Sequence, residues 1–569
     1  MCAAKLSIPK QEIGCELGIN QTPEALKLWL DSLPVADVEK STLMALRLLM
    51  AANRCGLDVT FHLHLMRSLV PLVDHLVSAL RAKYSTGESP YSSERNIKRI
   101  EAVKTLLHEM GHGFKIAITK LYGSADPADR PHLSYCIFHA ARINACRLID
   151  TYLLYEPILS EIWGELSLLY RFAVKQGIHQ DRYTFRFIES STEQVYMQLL
   201  LLAAINPYRL MRGEAQKVYN LMGQWSHHAK LVSPPEDWQP DTSELVVNIN
   251  SGEPPYLVAA GSQLDNASEL RIVNVSVVKK YLDEQAKLNV AKGDDKRHPT
   301  KDLNLRLQQD MMRRLIEGWR SDVDRTNQRH VQAEEMELAL GIQNSHSLFA
   351  ARPSSFDDLS LDDFGLVPLE SQWGNAPRPQ TGPPGSVFKI DDPHRDIWQD
   401  KNTKVGSDDI ENEDSEPLLE VYPAKQIDVS GGGFCVEFDL NSQLLAKVGD
   451  LACVRRAVDE APWRLCDVRW QRSISNTMGS MGLRLLSERP LALYCKALGG
   501  QGSGGSEQLA LLICGEDLCD SEAQLLLPAS IYDVGTMLSV KEANKNSNVV
   551  LTEKLETTSS FSRFKFRLR

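Results

Sequence analysis

Apolar residues recur at helical spacing through the first 230 residues of the chain. Segments such as FHLHLMRSLVPLVDHLVSALRAKY and ACRLIDTYLLYEPILSEIWGELSLLYRFAVKQG repeat them at i, i+3 and i+4, which is the pattern of an amphipathic helix with one buried face. Gly56, Gly123, Gly177 and Pro207 interrupt the pattern, as expected where helices end. We therefore predict an all-helical module over residues 1–235.

The period changes near residue 243. ELVVNINSG and ELRIVNVS read as strands, whereas VVKKYLDEQAKL reads as a helix, so residues 236–320 are predicted to be an α/β bridging segment. After residue 331 short alternating segments dominate, including EEMELALGI, GFCVEFDL, WRLCDVRWQRS and MGLRLLS. Residues 489–569 continue this pattern and are predicted to form a further C-terminal β module. The predicted fold class is multidomain α+β.

Residues 351–416 have a different composition from their surroundings. They are rich in Pro, Gly, Ser and Asp and contain 15 acidic and 6 basic residues, which is −9 of the chain's net charge of −11. Such a segment buries too little apolar surface to offset the entropy lost on ordering, so it is predicted to be largely disordered. Two interpretations remain open: an insertion tolerated in a surface loop, or a docking tail that folds on a partner or on a basic site of this protein.

Composition excludes several classes of protein. Of 569 residues, 43% are hydrophobic and 24% charged, as in a soluble protein with substantial cores. The net charge of −11 argues against a general nucleic-acid or anionic-membrane binder. No apolar stretch reaches the ~18–20 residues of a membrane-spanning helix. The 11 Cys lack CxxC pairing, which favours reduced thiols in a cytosol.

The first candidate for chemistry is HEMGH, within a predicted helix. His108 and His112 are at i, i+4 and share a helix face, and Glu109 lies where a zinc peptidase has its general base. No third ligand follows at the expected distance. We therefore expect an amphipathic helix, with no metal site and no catalytic residues.

The second candidate is a pair of short signatures. Arg325 and Arg329 form an R-x-x-x-R segment, RTNQR, after a predicted helix and before a predicted strand. Asp428, Ser430 and Gly433 form a D-x-S-x-x-G turn between two predicted strands. Each motif alone is weak, because RxxxR is common on helix surfaces and glycines are common in tight turns.

Together and in this order, the two motifs resemble the PilZ domain, a bacterial receptor module for cyclic di-GMP. The strand GFCVEF, the turn Val448-Gly449-Asp450 and the strand beginning Met481-Gly482-Leu483 also follow the PilZ order. The resemblance covers about a sixth of the chain and implies a six-stranded β-barrel with a terminal helix. We accordingly predict a PilZ-like barrel over residues 321–488 that contains the acidic tract as an insertion.

The resemblance also implies a ligand and a set of site residues. Arg325 and Arg329 are expected to pair with phosphates and stack on purines, since guanidinium is planar and permanently charged. Asp428 is expected to accept hydrogen bonds from a guanine edge, Ser430 to donate one, and Gly433 to let the backbone approach the ligand. Arg469 and Arg484 are possible additional basic residues.

One feature departs from compact PilZ domains. Asp428 follows Arg329 by 99 residues, and the acidic tract fills most of that distance. This fits an insertion between the first and second strands. It fits equally well with RTNQR being only the end of a helix.

The sequence thus predicts a bacterial, cytoplasmic cyclic di-GMP effector that is not an enzyme and needs no cofactor. Its helical module is expected to pass ligand binding on to an unknown protein partner, without nucleic-acid binding or membrane insertion. The alternatives are a PilZ-like scaffold that binds no ligand and, less favoured, a zinc metallohydrolase using HEMGH.

Overall fold

The computed structural model describes mainly residues 6–278, 330–351 and 419–569, with shorter undescribed gaps inside these ranges. Most of the predicted bridging segment after residue 278, the RTNQR segment and the acidic tract therefore lie outside the described residues. Within the described part, no helix is long and apolar enough to cross a membrane.

The N-terminal module is a bundle of helices, as predicted. Polar N-caps begin several of them: Asp58 accepts from the N–H groups of Thr60 and Phe61, and Ser191 accepts from that of Gln194. One continuous apolar core fills the bundle, with Trp163, Phe114 and Phe138 fully buried. The helices are α1 Pro23–Asp31, α2 Val38–Arg54, α3 Val59–Tyr84, α4 Glu94–Leu121, α5 Asp129–Leu153, α6 Ser160–Gln176, α7 Thr192–Ala204 and α8 Glu214–Trp225.

Two small sheets accompany the bundle. The strands β1 Tyr183–Phe185 and β2 Ile188–Ser190 form a hairpin. The strands β3 Lys230–Val232, β4 Glu244–Asn248, β5 Tyr256–Val258 and β6 Leu270–Asn274 form an antiparallel sheet in the order β3-β6-β4-β5. The strands predicted at ELVVNINSG and ELRIVNVS are thus present as β4 and β6.

The first barrel is closed and antiparallel, with strands in the order β10-β11-β12-β9-β8-β7. Inward residues such as Val436, Val454 and Cys466 alternate with outward ones and form its core. A helix, α9 Gly341–Ala350, follows the first strand directly. The strands are β7 His330–Leu340, β8 Tyr422–Ser430, β9 Gly433–Asp439, β10 Leu451–Arg456, β11 Arg464–Ser473 and β12 Met478–Ser487.

The second barrel follows without a long linker. Its strands, also antiparallel, close in the order β13-β14-β15-β18-β17-β16 around their own core. The strands are β13 Leu491–Gly499, β14 Gln508–Ile513, β15 Gln524–Pro528, β16 Met537–Glu542, β17 Lys545–Thr557 and β18 Phe561–Leu568. The predicted fold class, a helical module followed by β modules, is confirmed.

The two barrels share an apolar interface built around α9. Phe349 of α9 packs in one cluster with Leu465 of the first barrel and Leu511 of the second. His346, 3% exposed, lies 3.0 Å from the carbonyl oxygen of Leu493 through its Nε2. Because these side chains are buried, the two barrels form a tandem unit.

One thiol departs from the expectation of reduced cysteines. Cys55 is disulfide-bonded. Six other cysteines in the described part of the chain form no disulfide, among them Cys453 and Cys466 in the first barrel.

Candidate functional site

The D-x-S-x-x-G motif forms the hairpin between β8 and β9. Ser430 pairs with Gly433 across the turn, and Val429 pairs with Phe434. Val429 packs against the barrel core. Side chains alternate along a strand, so Asp428 and Ser430 lie together on the outer face of the barrel. Both are half-buried.

Gly433 is required by the barrel itself. A Cβ at this position would overlap the carbonyl oxygen of Leu483 on β12, and the glycine has φ +154. The Leu485 N–H also donates to the carbonyl of Gly432, at 3.0 Å. Close approach of β9 to β12 therefore explains this glycine without a ligand.

Strand register extends the motif into two rows on the outer face. In the first row, Ser430 pairs with Gly433, Gly433 with Arg484 on β12, and Arg484 with Asp467 on β11. Directly paired residues point to the same side of a sheet. Since Gly433 has no side chain, nothing at that position separates Ser430 from Arg484 on this face.

The second row ends on an aromatic ring. Asp428 pairs with Cys435, Cys435 with Gly482, and Gly482 with Trp470 on β11. A Cβ at Gly482 would overlap the indole nitrogen of Trp470, so the indole ring covers this glycine. Asp428, Ser430, Trp470 and Arg484 thus surround one patch, which we call the outer-face site.

The chain leading out of RTNQR reaches the outer-face site. Arg325 and Arg329 lie outside the described residues, but His330 is the first residue of β7. His330 pairs with Val429, and Val331 pairs with Asp428. The strand that follows the RxxxR segment therefore begins directly beside the D-x-S motif.

The two arginines suggested as additions to the site, Arg469 and Arg484, are both paired with carboxylates. Arg484 donates to Asp467 at 2.9 and 2.8 Å and to Glu556 of β17 at 2.7 Å. Arg469 also donates to Glu556, at 2.9 Å. Burial disfavours the charged form of Glu556, but the charges of Arg484 and Arg469 outweigh it and lower its pKa to about 2. Both arginine side chains remain 32% exposed.

A separate pocket of about 240 Å³ opens at the end of the same barrel. Arginines line it, and each pairs with a carboxylate: Arg455 Nε lies 2.6 Å from Glu337 and Arg464 Nε lies 3.6 Å from Glu488. Val429 also lines this pocket, so the pocket and the outer-face site lie on opposite faces of one strand end.

The HEMGH motif has a structural explanation. Glu109, 4% exposed, is held by Arg54 at 3.0 Å and accepts from the Asn53 amide at 2.8 Å. His112 Nδ1 is 3.9 Å from the same carboxylate. Burial alone would raise the pKa of Glu109, but these hydrogen bonds hold it well below its usual range. In the described part of the chain, no three His, Cys, Asp or Glu residues are arranged to hold a metal ion.

The sequence alone does not indicate that Trp470 lies beside the D-x-S-x-x-G motif. The sequence signal for this contact is Gly482 in MGLRLL. Strand register between β11 and β12 is needed to show that Gly482 lies under the Trp470 ring. Register also links Arg484 to the motif, which sequence spacing does not reveal.

Comparison with known proteins covers nearly the whole chain. Family models match residues 24–236 ("Cyclic-di-GMP receptor FimW, N-terminal domain"), 245–490 ("Cyclic-di-GMP receptor FimW, middle PilZ domain") and 494–569 ("FimW C-terminal beta-barrel domain"). The curated Cyclic-di-GMP receptor FimW of Pseudomonas aeruginosa is 22% identical, over 96% of this chain and 90% of that protein. No solved structure is significantly similar to the chain.

Proposed function

The chain belongs to the PilZ-domain cyclic di-GMP receptor family, and we propose that it binds cyclic di-GMP at the outer-face site of its first barrel. Binding is then transmitted to a protein partner through the helical module. In this proposal the protein acts in the bacterial cytoplasm as an effector and performs no catalysis.

One observation carries the proposal. The strand that follows RTNQR starts opposite the D-x-S motif, with His330 paired to Val429. Arg329 directly precedes His330 in the sequence, which supports its acting together with Asp428 and Ser430. The 99-residue separation in sequence therefore does not prevent the two motifs from acting on one ligand.

Each side chain suits one part of the dinucleotide. Arg325 and Arg329 offer bidentate donors for the two phosphates and flat surfaces for the purines. The Asp428 carboxylate accepts from the N–H groups of a guanine edge, and the Ser430 hydroxyl donates. Trp470 supplies a face on which a guanine stacks, an interaction worth ~1–3 kcal/mol per base in other nucleic-acid binders.

A contact between β11 and the helical module supports this route for the signal. The Ser473 N–H at the end of β11 donates to the carbonyl of Tyr155, at 2.6 Å. Tyr155 follows α5 and has a positive φ of 54, which is uncommon for a residue other than glycine. Because β11 also carries Trp470, ligand contact with this strand acts on an element that touches the helical module.

Calorimetric titration of the full-length protein with cyclic di-GMP tests the proposal. Replacing Arg325 or Arg329 by Ala should weaken binding about 10- to 100-fold. Lys at either position should also weaken it, because an ammonium loses the fork and the stacking plane. Arg378→Ala, in the acidic tract, is the matched control and should change nothing. Absence of binding by the wild type at about 100 μM ligand would leave a scaffold that binds no ligand as the remaining function.

A further inference from the structure

The second barrel reaches into the charge network beside the outer-face site. Glu556 belongs to β17, yet its carboxylate contacts Arg484 at 2.7 Å and Arg469 at 2.9 Å, both on the first barrel. Arg563 of the second barrel supports it at 3.2 Å. Glu556 is only 6% exposed, so its carboxylate is buried against the first barrel and is not a surface charge.

Strand pairing also places Arg484 close to the D-x-S-x-x-G motif. Arg484 pairs with Gly433, which pairs with Ser430. Neighbouring strands lie ~4.8 Å apart, so the Cα of Arg484 is about 10 Å from that of Ser430 across a position without a side chain. An extended arginine covers much of that distance, and the phosphates of a dinucleotide bound at Ser430 come within its reach.

We propose that Glu556 is a built-in competitor of the ligand: in the free protein Glu556 and Asp467 together hold Arg469 and Arg484, and a phosphate of the bound dinucleotide displaces the Glu556 carboxylate. This inference rests on the proposed function, which it extends by naming two further phosphate-binding residues and the contact that restrains them. A carboxylate and a phosphate are both acceptors for guanidinium forks, so one arginine pair cannot satisfy both at full strength.

The same contact lies at the junction of all three modules. Thr558, two residues after Glu556, lies within reach of a Cβ built at Gly449 of the first barrel, as does Met211 of the helical module. Ser560 donates to Asp450 of the first barrel. Release of Glu556 therefore weakens the contacts among the second barrel, the first barrel and the helical module.

Glu556→Gln tests the proposal, because the amide keeps the shape and removes the charge. Cyclic di-GMP should bind this variant about 5- to 50-fold more tightly than wild type. Glu553→Gln is the matched control: Glu553 is on the same strand and pairs with Lys565 at 3.5 Å, but does not contact the arginines. Its affinity should equal that of wild type.

Arg484→Gln separates competition from a general structural effect. It should weaken binding, and in the double variant Glu556→Gln/Arg484→Gln most of the gain should be lost, since the two changes act through one contact. Should Glu556→Gln fold poorly by thermal melting, Glu556→Asp withdraws the carboxylate and should also tighten binding.

The possible outcomes are distinct. Equal affinities of wild type and Glu556→Gln, with wild type binding, overturn the competition and leave the proposed function intact. No binding by either protein overturns the proposed function and this inference with it. Binding by both proteins, tighter for Glu556→Gln than for wild type, supports both.

Discussion

At the scale of single residues, Gly433 meets a packing requirement that the sequence motif does not reveal. The motif suggested close approach of a ligand, whereas the structure shows close approach of β12. A side chain here would have to displace backbone, which cannot adjust as a flexible side chain does.

Gly433→Ala should therefore lower the free energy of unfolding of the first barrel by about 2–3 kcal/mol, in the range of overpacking mutations. Urea unfolding followed by hydrogen exchange of β9 and β12 measures this. The control is Gly164→Ala within α6, where a Cβ meets nothing within 4 Å and helix propensity should favour alanine. Unchanged stability of Gly433→Ala would refute the packing explanation.

Trp470 should contribute to binding through its face. Trp470→Ala should weaken cyclic di-GMP binding by about 1–3 kcal/mol, and Trp470→Phe by less, because a smaller ring still stacks. Trp463→Ala is the control: that ring lies under Arg455, 4.6 Å from its guanidinium carbon, on the apolar interface with the second barrel. Equal losses for the two alanine variants would argue against stacking at Trp470.

At the scale of elements, α4 shows how a motif of catalytic appearance serves packing. Glu109 ties α4 to α2 through Arg54 and Asn53. Without the charge of Glu109, the Arg54 guanidinium is still solvated by water, because its side chain is 44% exposed. The loss of stability is therefore smaller than for a fully buried ion pair.

Glu109→Gln should lower the free energy of unfolding of the helical module by about 2 kcal/mol at pH 7. The folded-state pKa of Glu109 lies below that of the unfolded chain, so its contribution is complete above about pH 5 and is lost as the pH falls below ~4.3. Thermal unfolding at pH 7 and pH 3 measures the change, with Glu101→Gln, exposed on the same helix, as control. A difference that grows at low pH would contradict this assignment.

The elements could be predicted where their signal is local. Helices such as α3 carry a repeated apolar face, and strands such as β9 and β11 alternate, so both were predicted from period alone. The helix α9 was not predicted from its own residues, because GIQNSHSLFA is short and half polar. It is held by Phe349 and His346 against both barrels, a contact between distant parts of the chain.

At the scale of the whole molecule, the candidate site is assembled by the register in which neighbouring strands of the first barrel pair. The motif residues could be found in sequence because they are contiguous, as in D-x-S-x-x-G. Trp470 and Arg484 join them through pairing of β8, β9, β12 and β11, and Glu556 joins from another domain. Such non-local pairings leave no periodic trace in a single sequence.

The tandem barrels also explain how one face can influence the whole protein. The outer-face site, the Glu556 contact and the Tyr155 contact all involve β11 or its neighbour β12. In the proposed function, ligand binding at the outer-face site would act on a strand shared by these interfaces, which gives a local change a physical route to the helical module.

Hydrogen exchange of the full-length protein with and without cyclic di-GMP tests the central claim most directly, because it locates the ligand. Bound ligand should slow exchange in the RTNQR segment, in the turn 428–435 and in β12 around Arg484, and should speed exchange at 555–560, where Glu556 is released. The contradictory result is protection by saturating ligand that is confined to the barrel-end pocket around 455–464 or to the helical module, with the turn 428–435 unchanged.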